Sequence, residues 1–145
     1  VAVPKIERLQ YGITREWHQG DVNYCILRTP EVLDRTAIEH WLLVLAVTVK
    51  LFKPDESPRI IYDLSLRGRV IPLYINAIHE TLGSQNLAGR GAYQAFVLPD
   101  ELLHRVLVSM RGSRQQNAPL ADLVDERLFS SEADAVAWLI STGRT

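Results

Sequence analysis

PRIIYDLSLRGRVIPLYINAI, residues Pro58 to Ile78, is the stretch on which the fold depends. RIIYDL is a short, continuous apolar run closed by Asp63, the pattern of a strand buried on both faces. Pro72 pre-sets helical φ close to the start of a helix. Leu73, Ala77, Ile78 and Leu82 share the inner face of that helix, and Gly83 ends it. A buried strand, a basic turn and a helix in succession form the junction where open α/β sheets place their ligands.

Working toward the N-terminus, Asp34 is an N-cap and Arg35 to about Phe52 a helix. Ile38, Trp41, Leu42, Leu45, Ala46, Val49 and Phe52 recur at helical spacing. Leu43, Val44 and Val47 fall outside that stripe, so the helix is apolar nearly all round and is expected to be covered on two sides. Leaving four or five such side chains in water forgoes on the order of 6–12 kcal/mol. Another element, a ligand or a second subunit must supply the cover, and a symmetric homodimer is the simplest choice for the last. Upstream, Ile13–Gln19 and Asp21–Thr29 read as a β-hairpin around QGDVN, with Gly20 able to supply a positive φ. Val3–Tyr11 is ambiguous in its pattern.

Toward the C-terminus, AYQAFVL is a strand and Pro99-Asp100 opens a third helix, lined by Leu102, Leu103, Val106, Leu107 and Met110. ERLFS centres the last strand. Ser131 caps the final helix, with Asp134 in the third position of a capping box. The order β-β-α-β-α-β-α-β-α predicts a single α/β domain spanning residues 1–145. Its sheet is expected to be mixed and largely parallel, with about five strands, an N-terminal β-hairpin and about four helices in β-α turns.

The totals agree with that architecture. The chain has 145 residues, 47% hydrophobic and 23% charged, enough for one core and a solvated surface. A net charge of −1 provides no global attraction for nucleic acid. The single cysteine, Cys25, cannot form an internal disulfide or a paired-thiol metal site, which suits a reducing cytoplasm. The start VAVPKIERLQ lacks the apolar core of a leader peptide. The greasiest run, Trp41–Phe52, is well short of the ~20 residues of a membrane-spanning helix.

The texture of three segments carries a family likeness. ERLFSSEADAVAWL resembles the last strand and helix of small bacterial STAS-like domains, relatives of the anti-sigma-factor antagonists. RIIYDLS with its following loop and helix resembles their central strand, and AYQAFVLPDELLHRVL the strand and helix after it. The likeness covers roughly Thr14 to Ser141. It implies helices wound around one sheet and non-catalytic work: docking of a protein partner, signalling, or in some relatives the binding of a small or lipid-like ligand. In the antagonist branch a serine or threonine at the start of the helix after the central strand is phosphorylated and sets partner binding. Here residues 66–74, LRGRVIPLY, contain no hydroxyl of that kind. Ser65 lies at the strand end, too early for a phosphate to meet a helix N-terminus. The expectation is a regulatory interaction domain without the phosphoswitch.

Candidate site residues follow from the same junction. Asp63, Ser65, Arg67 and Arg69 surround the C-terminal end of the central strand. Two cations at a helix start are locally unfavourable unless they point into water or meet an anion. Trp41, Val44, Tyr62 and Tyr74 are the candidates for an apolar pocket or an interface, with core packing the plainer role. An alternative function is therefore a carrier of a small apolar or anionic ligand at that strand end. His18, His40, His79 and His104 show no ligand pair at helical spacing, and there is no GxSxG elbow. No catalytic residue, metal site or cofactor is assigned, and the partner is an unidentified protein.

Overall fold

A computed structural model describes residues 3–29, 34–64, 77–78, 80–81, 91–103, 106–108 and 124–142. The strands are β1 (Lys5–Arg8), β2 (Thr14–His18), β3 (Tyr24–Arg28), β4 (Arg59–Asp63), β5 (Ala92–Val97) and β6 (Val124–Phe129). The helices with described boundaries are α1 (Arg35–Leu51) and α2 (Glu132–Ser141), and residues 77–78, 80–81 and 106–108 are also helical.

All six strands form one sheet in chain order, β1-β2-β3-β4-β5-β6. The pairings β1–β2 and β2–β3 are antiparallel; β3–β4, β4–β5 and β5–β6 are parallel. The protein is thus α/β with one mixed sheet, as the alternation of elements predicts. The sixth strand is β1. Its sequence KIER offers one apolar residue, Ile6, and that residue is exposed, so no alternation could reveal a strand. β1 is held by pairing with β2 and by the side chain of Glu7.

The hairpin β2–β3 closes differently from the sequence reading. Gly20 does not adopt a positive φ; among the described glycines only Gly12 and Gly91 do. The loop is fastened instead by the Gly20 N–H, which donates to Asn23 Oδ1 at 3.3 Å. The strained position lies before the hairpin. Tyr11, at φ 61°, occupies the left-handed region that side chains other than glycine rarely enter. Its ring is packed beside His40 of α1, with centroids 5.2 Å apart.

Period-2 alternation sorts the sheet residues onto two faces. On one face Ile13, Cys25, Leu27, Ile60, Tyr62, Phe96 and Val124 meet Trp41, Leu45 and Val49 of α1, with Ile78 and Val106 in the same core. On the other face Tyr24, Ile26, Ile61, Ala95 and Val97 meet Ala135 and Leu139 of α2. β4 contributes to both faces, which explains its unbroken apolar run.

Both helices begin where the caps predict. Asp34 accepts from the Ala37 N–H at 2.8 Å, and Ser131 Oγ from the Asp134 N–H at 3.4 Å. α2 is also clamped at both ends by arginines from the sheet. Arg28 Nη1 donates to Glu132 Oε1 at 2.9 Å, beside the first turn. Arg59 Nη1 donates to the carbonyls of Leu139 and Thr142 at 2.6 and 2.9 Å, satisfying carbonyls that a helix end leaves without partners. α1 departs from expectation in one respect. Its inner face is buried, but Leu43, Val47 and Leu51 remain 63%, 52% and 53% exposed. Among the described residues, no element covers its outer face.

The arginine clamp has a measurable weight. Charged hydrogen bonds contribute roughly 1.5–3 kcal/mol each. Arg59→Met keeps the aliphatic stem but removes both bonds to α2, and should lower unfolding free energy by about 2–3 kcal/mol in urea titrations. A loss below about 0.5 kcal/mol would show that the clamp is not coupled to stability.

Candidate binding site

The C-terminal end of β4 is organised by Arg28, its neighbour on β3. The parallel register sets Arg28 opposite Asp63, and Arg28 Nη1 reaches Asp63 Oδ2 at 2.7 Å. The same guanidinium contacts Glu132 at 2.9 Å and Glu16 at 3.3 Å. Burial works against its charge, but hydrogen bonds to Glu132 and Asp63 outweigh this and hold the guanidinium more firmly protonated than usual. Asp63, a candidate site residue in the sequence, is a partner of this inter-strand ion pair. Ser65, Arg67, Arg69 and Tyr74 lie outside the described residues.

Glu16 extends the charged row to the open side of the sheet. Its second oxygen lies 2.7 Å from His18 Nε2, and the His18 ring stacks on Tyr24 at 4.5 Å. Burial first, and then the negative charges of Glu16 and Glu132, push the Tyr24 phenol above its ordinary pKa.

Trp41, Val44 and Tyr62 lie in one buried core, the plainer of the roles their sequence allows. Trp41 and Tyr62 are fully buried; their rings meet edge-on at 6.0 Å, and Tyr62 stacks on Phe96 at 5.1 Å. Trp41 Nε1 donates to the Arg28 carbonyl at 3.1 Å. The Tyr62 hydroxyl donates to Gln94 Oε1 at 2.6 Å, and Gln94 Nε2 donates to Glu126 Oε2 at 3.2 Å. This buried polar chain crosses β4, β5 and β6. Burial raises the Tyr62 pKa well above its ordinary value, so the hydroxyl stays a donor. The sequence carried a weak signal for it: Gln94 interrupts AYQAFV at a position whose neighbours in register face the core.

A second cluster lies under the far end of α1. Arg15 alternates with Ile13 and Trp17, so period 2 drives it onto the core face. There its Nε and Nη2 grip Glu7 at 3.2 and 2.9 Å, and Nη1 donates to Thr48 Oγ1 at 3.0 Å. Trp17 Nε1 also donates to Glu7, at 2.6 Å. The hydrogen bond from Arg15 is the main cause that holds the Glu7 carboxyl below its usual pKa, against an opposing effect of burial. This cluster floors an open cleft of about 450 Å³ between the edge hairpin and the end of α1, rimmed by Lys5, Asn23, Phe52 and Glu56. The cleft lies at the N-terminal end of the parallel strands, opposite the end singled out from the sequence. Reading REWH by alternation could have found Arg15; its partner Glu7 sits on a strand that alternation does not reveal.

The cysteine is buried between β2 and β4, and burial pushes its thiol up to about 12. Such a thiol is a core residue without nucleophilic character at neutral pH. Among the described residues no group of three or more His, Cys, Asp or Glu is placed to hold a metal, and no helix is long and apolar enough to cross a membrane. No family model matches the chain, and neither the curated proteins nor the solved structures provide a match.

Two outcomes follow. Since the folded pKa of Glu7 is depressed, its contribution to stability is present above the unfolded carboxylate value near 4.5 and is lost as pH falls through the folded value. Glu7→Gln should lower stability at pH 7 and flatten its decline below pH ~4.5, read by urea unfolding across pH. An unchanged acid limb would remove Glu7 from that role. Cys25 should react with a thiol reagent at pH 8 only at the rate of unfolding; immediate labelling of the native protein would contradict its burial.

Proposed function

We propose that this protein is a non-catalytic regulatory domain that works by docking another protein, in the manner of the STAS-like domains its sequence resembles. The observation that carries the reading is the outer face of α1. Leu43, Val47 and Leu51 recur every fourth residue and stand more than half exposed, on a helix whose other face is fully buried. Single exposed aliphatics are ordinary, but an aligned row of them is the pattern of a helix awaiting a partner. Burying what remains exposed is worth on the order of 1 kcal/mol per residue.

The strand order lends support of a more general kind. Consecutive parallel strands from β3 to β6, preceded by an antiparallel hairpin, give the β-α winding that the resemblance implies. With no serine or threonine in residues 66–74, partner choice in this reading is not set by phosphorylation there. The single buried thiol fits work in a reducing cytoplasm.

The carrier alternative places a small ligand in a cavity bordered by Trp41, Tyr62 and Tyr74, with an anion near Arg67 or Arg69. The Trp41 and Tyr62 rings pack against each other and Asp63 is engaged by Arg28, which favours docking over carriage. Native mass spectrometry of protein purified without denaturation separates the two. Docking predicts the mass of the bare chain or its multiples. A stoichiometric small-molecule adduct, lost in Asp63→Asn, would overturn docking in favour of carriage.

A further inference from the structure

We infer that the occupant of the outer α1 face is a second copy of this chain, paired α1 to α1 in antiparallel about a two-fold axis at Val47. The inference rests on the docking reading above and names its partner. Three features of the helix point to self-pairing.

The apolar row is symmetric about its centre. Leu43 and Leu51 lie one turn on either side of Val47, so antiparallel pairing sets Leu43 against the partner's Leu51 and Val47 against the partner's Val47. Knobs of matched size meet along the whole row.

The charges are self-complementary. At 100° per residue, Glu39 and Lys50 both fall on one flank of the row, while the opposite flank carries the buried Val44 and Thr48. A two-fold axis in the contact plane, perpendicular to both helices, keeps the charged flank on the same side in both copies. Glu39 then lies ahead of the centre and the partner's Lys50 behind its own. The rise per residue leaves about 7 Å between them along the axis, which two long side chains span. Each dimer contains this pair twice. In a parallel arrangement the two-fold would run along the helices and set the charged flanks on opposite sides, so Glu39 and the partner's Lys50 would not meet. Glu39 is already held by Arg35 at 3.0 Å, an exposed pair of little weight that leaves it able to engage a second cation.

The helix dipoles agree with this orientation. Antiparallel pairing sets the N-terminal end of each α1 beside the C-terminal end of its partner, where the partial charges are opposite.

Sedimentation velocity over roughly 1–300 µM tests the pairing directly. The wild-type chain should pass from monomer to dimer in that range. Val47→Glu sets two carboxylates face to face on the axis and should weaken association by about 100-fold or more. Val47 is half exposed, so melting at about 1 µM, where the wild type is monomeric, should be unchanged, while the rise of Tm with concentration should be lost; Leu43→Lys serves as a second variant with the same expected loss. Glu39→Lys and Lys50→Glu should each weaken the dimer by about 10-fold, and the double variant should recover it. A wild-type chain that stays monomeric throughout, or a dimer untouched by Val47→Glu, would overturn self-pairing. Failure of the double variant to recover would overturn the antiparallel register. None of these outcomes depends on the adduct mass that decides between docking and carriage.

Discussion

Trp41 holds the molecule together from two directions. Its ring is set edge-on against Tyr62, which stacks on Phe96, so one side chain of α1 bridges to β4 and β5. Its indole N–H donates to the carbonyl of Arg28 at the end of β3. A tryptophan can be fully buried at little cost only if that N–H finds an acceptor. The position of Arg28 therefore settles two things together: where α1 lies over the sheet, and where the guanidinium gathers Glu16, Asp63 and Glu132 on the opposite face. The two layers of helix are linked through one residue.

Among the described residues, the largely apolar interior is polar at two defined places. One is the chain from Tyr62 through Gln94 to Glu126, which crosses the parallel strands. The other is Arg15 with Glu7, Trp17 and Thr48, which ties the antiparallel edge to α1. Removing one partner from such a group leaves the other buried without its bond, so these contacts resist register slips more than they add net stability. A one-residue shift of β1 would turn Glu7 away from Arg15 and bring Ile6 or Arg8 against it. The short strand that sequence pattern could not reveal is held by such a side-chain requirement.

Much of the architecture was legible because it rests on local patterns. The caps at Asp34 and Ser131, the unbroken apolar run of β4 and the alternation of strand with helix all act through near neighbours. The boundaries of β2 and β3 came out within a few residues for the same reason. β1 and the non-glycine turn at Tyr11 were not legible, because each depends on a partner distant in sequence; the bond that closes the hairpin spans only Gly20 to Asn23, but nothing in QGDVN distinguishes it from a turn closed by a glycine at positive φ. The site followed the same division. Core packing for Trp41 and Tyr62 was readable as the plainer role of their aromatic rings; that Val44, outside the Trp41 stripe, joins the same core was not. Asp63 was readable as a strand-end carboxylate, whereas its pairing with Arg28 depends on the parallel register between β3 and β4.

The clamp on α2 bears on how the chain matures during synthesis. Ile26, Ile61, Ala95 and Val97 lie on strands made before α2, and α2 is what shelters them. Until residues 132–142 have left the ribosome, neither Arg28 nor Arg59 can find its acceptor on that helix, and a greasy sheet surface stays open to the surroundings. A pause in translation just upstream of Ser131 would prolong the interval in which nascent chains can adhere to one another through that surface.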